Sequence, residues 1–156
     1  MAIASLKGVN TARQGIGFRV TVDDRELSQL LGKLGRAGSE AAKAGMLKVA
    51  DKIVARAKTL SPVDPEDGGD LRDSIRRTRG TISKKNGNVV VSVLAGGAAL
   101  KGAIGGRKYN IYAVLQHEDL TLKHSVGQAK FLERPFFDLA PSAPSAIQDE
   151  LAKVMR

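Results

Sequence analysis

No cysteine occurs among the 156 residues of this chain. Disulfides, thiol nucleophiles and cysteine-based zinc sites are thereby excluded, and the composition fits a protein made in a reducing cytoplasm. Tryptophan is also absent, and there are only two tyrosines, four phenylalanines and two histidines. Aromatic side chains bury the largest area per residue, so the core must form around the few available. No apolar run approaches the roughly 18 residues of a membrane span. The opening Met1 to Lys7 likewise lacks the apolar stretch of a signal peptide. A soluble protein without a membrane partner is expected. Acidic residues are missing from one long stretch: between Ser74 and Lys108 there is no Asp or Glu, against Arg76, Arg77, Arg79, Lys84, Lys85, Lys101, Arg107 and Lys108.

What is present is concentrated late in the chain. Phe131, Phe136 and Phe137, three of the four phenylalanines, fall within seven residues, so the last third is expected to nucleate one core. A chain of this length supports one domain. The net charge of +9 is unevenly spread, because the basic stretch follows an acidic one, Asp64, Glu66, Asp67, Asp70 and Asp73 against the single Arg72. Segregated charge of both signs fits complementary surfaces that meet between copies or partners, since opposed potentials favour one register.

The pattern along the chain predicts an α+β domain, with an antiparallel sheet of about four strands packed by one long helix and a C-terminal helix. Residues 1–15 show no periodicity and read as a flexible arm, leaving 16–156 as the single domain. Ile16, Phe18, Val20 and Val22 alternate as a strand with one buried face. Asp23 or Asp24 caps a helix through Leu34, Gly35 to Gly38 interrupts it, and a longer helix runs from Ser39 to Leu60. The stripe Met46, Val49, Ala50, Ile53, Ala57 and Leu60 faces the core. Ser61-Pro62 ends this helix. Asp70 to Ile75 is a short helical turn or the start of a strand. Arg76–Ile82 and Asn88–Leu94 flank Asn86-Gly87, whose tolerance of positive φ marks a hairpin. Gly96 to Gly106 holds five glycines among eleven residues with Leu100 and Ile104 between them, too apolar for a solvated linker, and reads as a loop awaiting a partner. Tyr109 to Gln116 is expected as a fourth strand. A terminal helical region starts at Phe131, is broken at Pro141 and Pro144, and resumes from Ser145 to Met155.

Few constellations point to chemistry. His117, Glu118 and His124 raise a metal site, but a strand would point His117 and Glu118 to opposite faces, and the helical His-Glu-x-x-His spacing is absent. Asp64, Glu66, Asp67 and Asp70 lack an oxygen ligand at the fifth position of a calcium loop, Gly68, and a glutamate at the twelfth, Ile75. No phosphate-cradling glycine motif and no Gly-x-Ser-x-Gly occurs. No cofactor and no enzyme activity is expected. Nonspecific DNA binding is the competing reading, because eight basic residues would neutralise several phosphates, although no aromatic residue interleaves them for base stacking.

Several short motifs in a fixed order resemble one family. They are Pro62-Val-Asp64, Gly69-Asp-Leu71-Arg72-Asp-Ser74-Ile75, Tyr112-Ala113 with Gln116-His117-Glu118, and Gly127-Gln-Ala-Lys-Phe131-Leu132-Glu133 with Pro135-Phe136. Together they resemble the tail-component family of long-tailed bacteriophages, the gene-product-ten family of lambdoid phages. Pro65 to Gly68 and the long Gly96–Gly106 loop depart from its pattern. The resemblance implies a virion structural protein forming a ring of identical subunits at the head–tail joint, with a tail terminator or a minor tail or capsid protein as the alternative within the same class, made in the host cytoplasm. Its implied partners are further copies, neighbouring neck and tail-tube proteins, and transiently the passing genomic DNA. It also implies structural roles for Pro62, Gly69, Leu71, Ser74, Tyr112, Glu118, Phe131, Pro135 and Phe136. The charged residues Asp64, Glu66, Asp67, Arg76, Arg77, Arg79, Lys84, Lys85, Lys101, Arg107 and Lys108, with Leu100 and Ile104, are the candidate subunit contacts. Most of the basic ones are expected against acidic neighbours rather than lining a DNA channel.

Overall fold

The strongest helical periodicity in the sequence becomes the longest element of the structure. A computed structural model describes residues 3–4, 7–8, 16–20, 22–23, 25–63, 69–83, 88–96 and 108–156. Within it, helix α1 spans Arg25–Leu60 and is broken at Gly35, whose φ of 59° and ψ of −135° are non-helical. A residue with a Cβ is strained at such a φ, which is why the break falls on glycine. Beyond the break, Met46, Val49, Ala50, Ile53 and Ala57 are buried as one stripe. The last turn closes with the Ser61 N–H donating to the Ala57 carbonyl at 2.8 Å, and Pro62 stops it.

Four short or medium strands precede α1: β1 (Ile3–Ala4), β2 (Lys7–Gly8), β3 (Ile16–Val20) and β4 (Val22–Asp23). Of the arm expected at 1–15, only the backbone of β1 and β2 is described; β1 pairs with β4, and β2 with β3. After α1 come helix α2 (Asp70–Ser74) and strands β5 (Arg76–Arg77), β6 (Thr81–Ile82) and β7 (Val89–Ala95). The central strand is β7, antiparallel to β3 on one side and to β5 and then β6 on the other. Between the β5 and β6 pairings the register against β7 slips by one residue, the signature of a bulge, at a point where Gly80 has φ +74°. The main sheet is thus three strands wide, with β2 as a two-residue edge. Val89, Val91 and Val93 all bury on the face turned to α1.

The Leu-Arg-x-Ser-Ile segment ties this sheet to α2. Ser74 is buried; its hydroxyl donates to the Leu71 carbonyl at 2.6 Å and accepts the Gly96 N–H at 2.8 Å. The Arg76 guanidinium donates to the carbonyls of both Ser74 and Gly96 at 2.9 Å. One serine and one arginine therefore hold the end of β7 against the start of β5.

The expected strand at Tyr109–Gln116 is instead a helix, α3 (Lys108–Glu118). Burial falls on Ala113 and His117, four residues apart, while Leu115 between them is half exposed. A strand would have placed all three on one face. The run Ile111 to Leu115 is continuously apolar, so it carries no internal period to separate the two structures. Helix α4 (Glu133–Leu139), a 3-10 turn (Ala140–Ser142) and helix α5 (Ala143–Val154) follow. Pro141 and Pro144 sit in first turns, where a missing N–H costs nothing, so they join these helices more than they interrupt them. Phe131 and Phe136 are fully buried, but Phe137 is 54% exposed and Val154 46%; the apolar face of the terminal region is narrower than its sequence implies.

Helix α1 packs against both β7 and α5. The approach to α5 is close enough that a Cβ on Gly45 would lie 2.7 Å from the Ala146 carbonyl oxygen and from Ile147 Cα. Both obstacles are backbone, so α5 itself would have to move. Gly45→Ala is expected to lower stability in denaturant unfolding by about 1–3 kcal/mol, the cost of overpacking, despite alanine's better helix propensity. Gly32→Ala, where nothing lies within 4 Å, is expected to raise stability by up to about 1 kcal/mol.

Candidate interaction surface

The loop joining α3 to α4 carries three exposed large apolar side chains, Leu120, Leu122 and Val126, and its backbone is held from several directions. The Gln128 N–H donates to the Leu60 carbonyl at 2.9 Å and the Lys130 N–H to the His117 carbonyl at 2.9 Å. Gly127, at φ +89°, lies so tightly on the end of α1 that a Cβ there would be 2.5 Å from Pro62 N and from Ser61 C and O. Lys130 adopts φ 58° without being glycine, a conformation that costs roughly 1–2 kcal/mol. Its ammonium supplies compensation by pairing with the carboxylates of Glu118 and of Glu133, the latter at 3.0 Å.

Beneath this ion pair His117 is completely buried. Its Nδ1 lies 2.8 Å from Glu118 Oε1, its Nε2 accepts the backbone N–H of Glu133 at 3.2 Å, and its ring meets Phe131 edge-on at 5.1 Å. The N-cap residue of helix α4 makes no side-chain cap bond; the Arg134 N–H donates to the Lys130 carbonyl at 3.1 Å, and His117 supplies the acceptor for the N–H of the helix's first residue, Glu133. Only the neutral ring with its proton on Nδ1 does this. Burial lowers the His117 pKa from its ordinary value, with Glu118 pulling the other way. The Lys130 ammonium holds the Glu118 carboxyl below the usual carboxylate range, while Glu118 and Glu133 raise Lys130.

The helical form of α3 overturns the argument that separated His117 from Glu118. Ligand atoms of His117, Glu118 and Glu133 lie within 4.8 Å of one another. Yet both ring nitrogens are committed to protein partners and an ammonium already bridges the two carboxylates. Structurally the group is a clasp that joins the end of α3 to the start of α4. His124 lies elsewhere on the loop, partly buried, with its Nε2 enclosed.

Held on this clasp, Leu120 is 70% exposed, and Leu115, Val126 and Leu122 are exposed to between 50% and 38%. Asp119 Oδ1 accepts from both the Thr121 N–H at 2.9 Å and the Thr121 hydroxyl at 2.6 Å, which fixes the turn bearing Leu120. These bonds keep the Asp119 carboxyl ionised to lower pH than usual. Apolar side chains exposed on a fixed loop make it a candidate contact surface. Sequence reasoning missed them, although Leu120 and Leu122 stand among polar residues in a segment with no periodicity.

The sequence-derived contacts are distributed differently. Arg77 pairs with Asp51 of α1 at 2.5 Å, and Arg76 serves the Ser74 and Gly96 carbonyls, so both are used within the chain. Arg79 is exposed. Asp64, Glu66, Asp67, Lys84, Lys85, Leu100, Lys101, Ile104 and Arg107 lie outside the described residues, as do the side chains of Lys108 and Tyr112. Pro62, Leu71, Ser74, Phe131, Pro135 and Phe136 are all buried. Gly69 precedes α2 as its N-cap, and Glu118 belongs to the clasp.

Because the folded pKa of His117 is depressed, the unfolded chain takes up the proton first as pH falls. Its stabilisation is therefore complete above the unfolded value near ~6.5 and is lost as pH drops toward the folded one. Denaturant unfolding between pH 7.5 and 5 is expected to show this decline. His117→Phe is expected to lose about 1–3 kcal/mol at pH 7.5, from the partners left unpaired, and to show a flatter profile over the same interval.

A family model described as "Bacteriophage HK97-gp10, putative tail-component" matches residues 25–133. No curated protein and no solved structure matches the chain. The matched stretch begins with the first residue of α1, includes the Ser74 staple and both partners of Lys130, and ends at the first residue of α4. Well over half of the sequence is covered, and the chain belongs to the HK97 gp10-like family of bacteriophage tail components.

Proposed function

We propose that the protein is a structural virion subunit that forms a ring of identical copies at the head–tail joint of a tailed phage or prophage-derived particle. The observation that carries this reading, in a member of a tail-component family, is the apolar loop 119–126 held rigid by the Gly127 contact and the Lys130 clasp. A preorganised contact surface loses little entropy on association, which suits a subunit whose work is to be bound from several sides. Residues 16–156 act as one unit, and the histidine and carboxylates of the clasp serve architecture, with no cofactor and no catalysis.

The remaining contacts are the exposed Arg79, the acidic Asp64, Glu66 and Asp67, and the stretch from Lys84 to Lys108. With Arg76 and Arg77 engaged internally, fewer cations are left for DNA than the sequence alone implies. The others face acidic surfaces of neighbouring subunits or of adjoining neck and tail-tube proteins, with passing DNA touched only in transit. Light scattering of the purified protein, alone and with the products of neighbouring genes, is expected to reveal a ring-sized particle or a stable complex with one of them. A monomer that ignores every neighbour yet binds DNA tightly at low salt would replace this reading with nonspecific DNA binding.

A further inference from the structure

A second unpartnered surface lies along α1. A shallow groove of about 480 Å³ is lined by Lys52, Ala55, Arg56 and Thr59 of α1 and by Asp138 and Leu139 at the end of α4. Its lining is largely apolar, and the half-exposed Phe137 adjoins Asp138 in α4. Among the described residues, neither Lys52 nor Arg56 forms an ion pair within the chain; the α1 charges that do are Glu40, Lys43, Lys48 and Asp51. At about 100° per residue, Arg56 points well around the helix from Asp51, whose carboxylate holds Arg77 of β5. The groove therefore opens on a flank of α1 that the sheet does not use.

We infer that Leu120 and Leu122 of one copy seat in the α1 groove of the next. The inference rests on the proposed ring of identical subunits and names its contact. Two observations select this occupant. The loop offers apolar side chains that are exposed, fixed and uncovered by their own chain, and the groove offers an apolar floor. The charges match in both signs. Asp119 and Lys123 bracket the two leucines in the sequence, while Lys52 and Arg56 on one wall oppose Asp138 on the other. The Asp119 carboxylate that holds Thr121 stands beside Leu120 to meet a cation on the neighbour. Leucines then fill the dry centre and ion pairs form the rim, the usual anatomy of a specific interface. Loop and groove share no residue, so the contact is heterologous, and repeating it closes a ring if the rotation allows.

Leu120→Glu and Ala55→Glu change exposed positions and are expected to leave the thermal midpoint near that of the parent. Each is expected to weaken self-association at least about tenfold in sedimentation velocity, the loss typical of a contact at the centre of an interface. Mixed together, the two variants retain one intact groove and one intact loop, so they are expected to form heterodimers and nothing larger. Absence of cysteine permits a second measurement. A chain carrying both L120C and A55C, treated with a short bismaleimide, is expected to give a ladder of oligomers, whereas each single-cysteine chain gives none. A parent that assembles while both glutamate variants assemble equally, or a mixture without heterodimer, overturns the loop-in-groove contact alone. A parent captured by a neighbouring gene product without self-associating overturns this contact and the ring but leaves a structural subunit. A parent that does neither overturns the proposed function as well.

Discussion

The packing of α1 on α5 through Gly45 is the constraint on which the rest of the structure depends. A chain without tryptophan cannot fill its interior with large rings, so the space has to be removed by bringing backbones together. Ala41, Ala42, Ala50 and Ala57 give α1 a shallow surface, and Gly45 removes the last Cβ at the tightest point. What volume remains is taken by Phe131 and Phe136, which are fully buried between α3 and α5 in sequence. Interior dispersion energy depends on such contact at short range, so an added methyl at Gly45 is felt by the whole helical layer.

The same economy explains the construction of the α3–α4 connection. Few large side chains are left to pin it, so it is pinned by backbone hydrogen bonds to Leu60 and His117, a glycine pressed on Ser61 and Pro62, and a charged clasp. The clasp is only partly buried, and its ion pairs with water nearby contribute modestly. The buried His117 ring contributes through different means, by packing on Phe131 and by accepting the Glu133 N–H. Once the interior has absorbed these groups, Leu115, Leu120, Leu122 and Val126 have no place in it. Their exposure follows from the core being full elsewhere.

Much of this architecture was legible in the sequence. The stripe from Met46 to Ala57, the alternation of Val89, Val91 and Val93, and the break at Gly35 each follow a period or a backbone restriction that acts locally. The sheet came out narrower than about four strands because Tyr109–Gln116 folds as a helix, and its continuous apolar run held no period by which to tell. The clasp was unreadable for a related reason. Glu118 and Lys130 are twelve residues apart and Glu133 fifteen from Glu118, so only the turn between helices brings them together. Of the cations expected to face a partner, Arg76 and Arg77 have acceptors inside the chain that the one-sided charge of their own segment could not disclose. The exposed leucines escaped notice because exposure is decided by what the remainder of the core leaves uncovered.

The borrowed cap of α4 bears on the order of assembly within the chain. A helix of seven residues is too short to persist in water by itself, and the N–H of its first residue, Glu133, finds its acceptor on His117, sixteen residues earlier. Helix α4 therefore has to wait for α3 to arrive at its final position. The exposed loop between them gains its shape in the same event, so a chain that has not finished folding has no formed contact surface to offer. In the ring proposed above, that coupling would keep incomplete subunits out of the growing structure.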